Sequence, residues 1–309
     1  MKERPPRRAI SGVLLLDKPT RIGSNAVLQH AKHLYRAQRA GHTGTLDPMA
    51  SGMLVICFGE ATKFSGELLN ASKVYVARIK LGITTTTADA EGEILERKPV
   101  DASEQLVREA IESFRGEIRQ TPPMYSALKR DGRPLYTYAR RGETVERQAR
   151  TVTIHAIDLL SYAPDELELE VSCSKGTYIR TLAEDLGRKL GCGAHLSGLI
   201  RTALGEFRLQ HAANLDQLER SSAADRDRML LPTDVLVGSY PEVTIGPDES
   251  SRFRQGARVP ARAAGMAGLV RVYGTGRMFL GIAWSGDDGA LQPKRLLAVY
   301  EPASETGMR

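Results

Sequence analysis

Cysteine is scarce in this chain. Three are present among 309 residues, Cys57, Cys173 and Cys192. They are odd in number and widely spaced, which argues against a disulfide framework and a Cys-x-x-Cys metal pair. Cys57 and Cys173 sit in apolar runs and read as core filler. Long hydrophobic runs are absent too. Leu14-Leu15-Leu16 is closed by Asp17-Lys18, far short of the roughly 20 apolar residues that a membrane helix needs. The Arg-rich start is not followed by a signal-peptide pattern. The expected setting is a reducing, aqueous compartment, the cytoplasm. No Gly-x-x-x-x-Gly-Lys-Ser/Thr loop occurs, which argues against a P-loop nucleotidase. Gly191-Cys-Gly193 and Gly274-Thr-Gly276 lack the third glycine of a dinucleotide fingerprint and read as turns. The six histidines form no His-Glu-x-x-His, and the zinc-deaminase signature is missing. No metal site is expected. Internal repeats and low-complexity tracts are also lacking.

What is present fits a globular protein with a polyanionic partner. The hydrophobic fraction of 41% supports a sizeable core, and Lys and Arg total 43 against 37 for Asp and Glu, a net charge of +6. The excess is modest, but it is concentrated. Nine Lys or Arg fall in the first forty residues, against Glu3 and Asp17. Such a face attracts polyphosphate, although a solvated basic surface would read the same way.

Periodicity predicts a mixed body and a different tail. Gly12–Asp17 and Met53–Phe58 read as buried strands. Between them, Val27, Leu28, Ala31, Leu34 and Tyr35 recur at helical spacing behind an N-cap at Ser24. Lys73–Leu81 alternates, with Tyr75, Ala77, Ile79 and Leu81 on one side. A capping box of Asp101 and Glu104 opens a helix with Leu106, Ala110, Ile111 and Phe114 that Gly116 stops. Pro134 and Gly142 bracket a shorter helix. Strands at 151–160 and 166–173 flank a turn, and a helix from Tyr178 to Leu190 ends at Gly191. This irregular alternation predicts an α+β body with a mixed sheet over residues 11–240. Residues 1–10 read as a flexible basic arm. Beyond Tyr240-Pro241, short strands (Leu269–Tyr273, Met278–Trp284, Arg295–Tyr300) and Gly-rich turns predict a separate small β domain over 245–309.

One loop concentrates the chemistry. Gly41-His-Thr-Gly-Thr-Leu-Asp-Pro-Met-Ala-Ser-Gly52 carries three glycines, one imidazole and one carboxylate. Glycine permits tight turns and close approach of a ligand, and a rigid loop can present Asp47 as nucleophile or base beside His42. Alternatively, Asp47-Pro48 only starts a turn and His42 is a surface residue.

The loop resembles the catalytic loop of the TruB family of bacterial tRNA pseudouridine synthases, which act on uridine 55 of the T-arm. Further blocks match in order: Leu14-Leu-Leu-Asp-Lys-Pro19, Gly59-Glu-Ala-Thr-Lys63, Pro123-Met-Tyr-Ser-Ala-Leu-Lys129, Cys173-Ser-Lys-Gly-Thr-Tyr-Ile-Arg180 and Gly191-Cys-Gly-Ala-His195. The likeness is strong over roughly 10–205. Two stretches depart from the family pattern. Arg21-Ile22-Gly23-Ser24 replaces Gly-Met-Ser/Thr-Ser, and Leu199-Ile200-Arg201 replaces a pair of arginines.

The resemblance implies a pseudouridine synthase body with a PUA-like tail. It also implies roles. Asp47 is the catalytic carboxylate, attacking C1′ or taking a ribose proton, and Arg180 pairs with it through a bidentate guanidinium. Tyr75 stacks on the target base. Tyr178 and Leu199 line the pocket, and His42 enters the space the uridine vacates. Lys18, Lys63, Lys129 and the arm arginines would hold phosphates. Breaking the C1′–N1 bond and rejoining through C5 needs no redox change or energy source, so no cofactor is implied. The expected partner is tRNA through its T-arm stem-loop, bound by a monomer with neither membrane nor metal. Two other readings remain: a non-catalytic RNA-binding or RNA-folding protein on the same scaffold, and a synthase for a different RNA. The complete Asp47, Tyr75 and Arg180 set argues against the first, and the lack of long Lys-rich tails against the second.

Overall fold

The computed structural model describes residues 6–261 and 266–302. Residues 1–5 of the expected arm and 303–309 of the expected tail lie outside them.

A ten-stranded mixed sheet carries the body. Its first strands are β1 (Gly12–Lys18), β2 (Ala40–His42), β3 (Ser51–Phe58) and β4 (Lys73–Leu81). The short pairs β5 (Ile83–Thr85) with β6 (Ile94–Arg97) and β8 (Lys129–Arg130) with β9 (Arg133–Pro134) form hairpins outside it. It continues through β7 (Gly116–Gln120), β10 (Arg150–Ala163), β11 (Glu166–Cys173), β12 (Ala194–Leu204), β13 (Phe207–Arg208) and β14 (Ala213–Asn214). The order is β14-β1-β3-β12-β4-β11-β10-β7, with β2 on β3 and β13 on β12. The pairs β12–β3 and β1–β14 are parallel and the others antiparallel.

The apolar runs at 12–17 and 53–58 are continuous because both faces of those strands are covered. Val13, Leu15, Met53, Val55 and Cys57 point into one cluster, and Leu14, Leu16, Leu54, Ile56 and Phe58 into another. The second cluster receives α1 (Ser24–Leu34) through Val27, Leu28, Ala31 and Tyr35. After α2 (Ser65–Leu69) and before α4 (Leu135–Ala139), α3 (Glu104–Glu112) packs over the opposite end of the sheet, beside α5 (Ile179–Lys189). There Tyr75, Ala77, Ile79 and Leu81 of β4 meet Leu167, Leu169, Val171 and Cys173 of β11 in one core, as the alternation predicts.

Local expectations need correcting at several points. Gly23, not Ser24, is the N-cap of α1, and no side chain caps that end. Ser103, not Asp101, caps α3 by accepting from the Leu106 amide. On α3, Val107 is buried and Leu106 exposed, so the buried face is rotated from the expected one. The Gly41–Gly52 segment is loop only over 43–50, since its ends extend into β2 and β3. The central strand β12 escaped the sequence reading altogether. Register shifts at Leu196/Gly198 and Arg201/Ala203 interrupt its two-residue period, which hides it from any search for alternation. The described part of the expected flexible arm is held: the Arg8 guanidinium donates to both carboxylate oxygens of Asp227, and Gln38 N–H donates to the Arg8 carbonyl.

The tail forms a five-stranded sheet of β15 (Glu242–Thr244), β16 (Val259–Pro260), β17 (Gly268–Gly274), β18 (Met278–Ser285) and β19 (Ala290–Pro302), ordered β15-β17-β18-β19-β16. It has a core of its own around Phe253, Val272 and Leu280. It is nevertheless packed on the body, because Tyr273, Phe279, Ile282 and Leu297 share a cluster with Val13, Val55 and Phe64.

Helix α5 approaches β12 so closely that only glycine fits at 187: a Cβ there would overlap the backbone of Gly193 and Ala194. Gly187→Ala is therefore expected to cost about 1–3 kcal/mol, read as a lower denaturant midpoint at unchanged slope. Because α5 carries Arg180, activity should fall further than stability alone explains.

Candidate active site

The 43–50 loop leaves β2 at His42 and returns into β3 at Ser51. Its shape is held from several sides. Ser24, at the start of α1, accepts from the Leu46 amide (2.8 Å) and donates to the Leu46 carbonyl (2.9 Å). The Arg21 amide donates to the Pro48 carbonyl (2.7 Å). Gly52 sits at φ +100°, where a Cβ would overlap the Arg201 backbone. The Arg201 side chain is 1% exposed; its Nε donates to the Met53 carbonyl (2.7 Å) and its Nη2 to the Gly44 carbonyl (3.3 Å).

This scaffold aims Asp47 at Arg180. Arg180 Nε lies 3.0 Å from Asp47 Oδ2, with Arg180 only 4% exposed and Asp47 37% exposed. The expected bidentate clasp is not formed. Arg180 spends its other nitrogens elsewhere: Nη1 lies 3.5 Å from Asp89 Oδ2, Nη2 donates to the Tyr125 carbonyl (2.7 Å), and Nη1 reaches the Thr87 carbonyl (3.4 Å). Asp89 is buried in the turn between β5 and β6 and accepts further bonds from Thr87 Oγ1 and the Glu91 amide. One guanidinium thus serves two carboxylates. A buried cation must be paired and hydrogen-bonded to be tolerated, and these four contacts meet that demand.

The first turn of α5 is fixed as tightly. Buried Gln120 accepts from the Tyr178 amide (3.0 Å) and donates to the Tyr178 carbonyl (3.2 Å). The Arg150 guanidinium covers the Tyr178 ring at 4.9 Å.

Two cavities meet at the ion pair. One, of about 410 Å³, is lined by Asp47, Tyr75, Tyr178, Arg180, Leu199 and Arg201. The other, of about 730 Å³, lies beside Asn25, Asp47, Asp89, Glu91 and Arg180. Five expected site residues, Asp47, Tyr75, Tyr178, Arg180 and Leu199, therefore share one wall. His42 stands at the end of β2, next to the wall residue Thr43, and its Nδ1 is buried without a hydrogen-bond partner. Lys18 is placed otherwise than expected. It is fully buried, its ammonium donating to the carbonyls of Pro19 (2.9 Å) and Ile22 (2.6 Å). It braces the turn that holds Pro48 instead of facing a phosphate. Lys63 is engaged by Glu60 and the Leu296 carbonyl.

Asp89, Gln120 and Arg201 were missed by sequence reasoning. Asp89 lies in a Thr-rich turn with no motif of its own, and a buried Gln or Arg is signalled only by its tertiary partners. Among the described residues no group of three or more His, Cys, Asp or Glu could hold a metal ion, and no helix is long and apolar enough to cross a membrane.

Comparison with known proteins identifies the assembly. Residues 32–179 match the TruB family pseudouridylate synthase N-terminal domain. The chain belongs to the TruB family of pseudouridine synthases. Residues 180–238 match the tRNA pseudouridylate synthase B C-terminal domain, and 241–297 the C-terminal domain of pseudouridine synthase II TruB. It is therefore an isomerase, and the body with its appended β domain is the pseudouridine synthase fold. The tRNA pseudouridine synthase B of Burkholderia mallei is 52% identical over 304 residues, covering 96% of this chain and 97% of that one. That of Aromatoleum aromaticum is 52% identical over 303 residues, 98% of each. A chain of a Cbf5-Nop10-Gar1 complex superposes with a TM-score of 0.71 at 26% identity, covering 92% of this chain and 84% of that one.

Electrostatics at Asp47 are finely opposed. Burial pushes its pKa up, the Arg180 charge pulls it down, and the Asp89 charge raises it again; the net direction is upward. Burial drives Lys18 down to about 8, although the Asp47 charge works against that. A carboxyl whose folded pKa is raised favours the fold while protonated, and that contribution is lost as pH rises through the folded pKa. Two outcomes are expected. The acid limb of the single-turnover rate should lie above the ordinary carboxylate range, and Arg180→Lys should move it higher while slowing the reaction at least ten-fold. Asp47→Asn should unfold at a temperature no lower than wild type at neutral pH and lose that advantage in acid, as thermal scans across pH would reveal.

Proposed function

We propose that this chain converts uridine 55 in the T-arm of tRNA to pseudouridine, with Asp47 as the catalytic carboxylate. The observation that carries the reading is the 3.0 Å Asp47–Arg180 contact in the wall of a cavity lined by Tyr75, Tyr178 and Leu199. Relatives at 52% identity named tRNA pseudouridine synthase B support tRNA as the substrate. The cavity volume suits one nucleoside taken out of its stack, as chemistry on a base requires. Tyr75 offers its ring to that base, and stacking of this kind is worth about 1–3 kcal/mol.

The reaction balances without a cofactor. The C1′–N1 bond breaks, the base turns, C5 bonds to C1′, and the hydrogen leaving C5 is matched by one gained at N1. Asp47 either attacks C1′ or removes a ribose proton, and both roles require the carboxylate. Arg180 favours the ionised form against the desolvation that burial imposes. The free, buried cysteines accord with a reducing cytoplasm.

His42 acts by filling space. Burial and the Arg201 charge push its pKa down, so the ring is neutral at neutral pH. It occupies the gap that the uridine leaves and transfers no proton.

Asp47→Asn should bind tRNA with near-wild-type affinity and form no pseudouridine in a single turnover; product above the no-enzyme control would remove Asp47 from the chemistry. Mapping pseudouridine in tRNA from a deletion strain, with and without the gene, tests the position. At His42, Phe should retain at least ten-fold more activity than Gly. Equal losses in both, together with disappearance of a pH step below the ordinary imidazole range, would instead assign proton transfer.

A further inference from the structure

A basic surface lies near the site, and no step of the reaction uses it. At the C-terminal end of α1 a cleft of about 840 Å³ is lined by Arg7, Gln29, Lys32, His33, Arg36 and Arg226, among other residues. No carboxylate lines it among the described residues. Among the described residues Arg7, Lys32 and Arg36 form no ion pair, whereas the neighbouring Arg8 is paired with Asp227. The walls are built. Arg36 takes a left-handed backbone (φ +52°), an uncommon conformation for a residue with a side chain. Its guanidinium donates to the Pro6 carbonyl (2.6 Å), and its own carbonyl accepts from the Arg8 amide (2.7 Å). Gln38 in turn donates to the Arg8 carbonyl (3.0 Å). These bonds hold residues 6–8 beside 36–38, so that cations from two segments face one space.

The cleft is connected to the active site along a single helix face. Asn25, Gln29 and Lys32 occupy positions i, i+4 and i+7 of α1 and share one stripe. Asn25 borders the cavity beside Asp47, and Gln29 and Lys32 border the basic cleft. At a rise of about 1.5 Å per residue the stripe from Asn25 to Lys32 covers roughly 10 Å. An RNA strand leaving the Asp47 cavity along this face meets the cleft within that distance.

We propose that the cleft is a second RNA-contact site, in which Arg7, Lys32 and Arg36 hold the phosphodiester backbone of the substrate RNA outside the target nucleotide. It rests on the reading that the substrate is tRNA only for the choice of probe. Arginine and lysine bound to phosphate release counterions, so each contact steepens the salt dependence of binding.

The test compares wild type with the triple variant Arg7→Gln, Lys32→Gln, Arg36→Gln on an unmodified tRNA transcript. Dissociation constants are measured over a range of salt, with the single-turnover rate at saturating enzyme and the melting temperature. The triple variant should bind at least ten-fold more weakly at about 0.15 M salt, and the slope of log K against log salt should shrink by roughly 2–3. The saturating rate should stay within two-fold of wild type, because none of the three residues touches Asp47 or Arg180. Unchanged affinity and slope would overturn the proposal, and so would a slower saturating rate with affinity intact. If the triple variant does not fold, Arg7→Gln alone decides: Arg7 is exposed and its side chain makes no hydrogen bond among the described residues, so the slope should fall by roughly 0.7–0.9. A wrong substrate assignment has a different signature, since wild type would then bind the transcript without converting it.

Discussion

The site depends on one buried cation. Arg180 draws on four separate segments at once: the 43–50 loop through Asp47, the β5–β6 turn through Asp89 and Thr87, the 121–128 stretch through Tyr125, and its own helix α5. A guanidinium has five N–H donors in a rigid plane and cannot shed its proton. Burying it obliges the chain to bring acceptors to it, and the acceptors fix where the loops go. Asp47 is therefore placed by the requirements of the arginine as much as by its own loop.

Sharing Arg180 between two carboxylates has an electrostatic consequence. If Asp47 held the guanidinium alone, its charge would be strongly stabilised, and a stabilised anion is a poor nucleophile and a weak base. Burial raises the Asp47 pKa above the ordinary value despite the ion pair, and the Asp89 charge on the other side of Arg180 adds to that rise. Such opposed influences on one titratable group are typical of places where chemistry is done.

Around this centre the fold supplies rigidity. Strands β1 and β3 are covered on both faces, β12 ties them to β4, and α5 lies against β12 with no room for a side chain at Gly187. The C-terminal sheet is anchored through Tyr273 and Phe279 in the core that β1 and β3 share with it. Texture alone marks it as a separate unit, because its strands are short and its turns glycine-rich. Its attachment was invisible in sequence, since the residues that fasten it look like any other inward positions of a β-strand.

By itself the sequence determined the alternating and continuous apolar runs, and with them β1, β3, β4, β11, α1 and α5. These patterns are local, set by the two- and 3.6-residue periods of strand and helix. It also marked Asp47, Tyr75, Tyr178, Arg180 and Leu199 through motifs, although only folding brought them to one wall. Tertiary structure alone decided the rest. Ser24 looked like a helix cap and is a clamp on Leu46, Lys18 looked like a phosphate ligand and is sealed inside a turn, and Asp89, Gln120 and Arg201 carried no signal. Each of these side chains is polar, and its role is set by a partner found across a loop or across the sheet. Spacing along the chain records which face a residue occupies, whereas a hydrogen bond between distant segments exists only once the fold has brought donor and acceptor within about 3 Å.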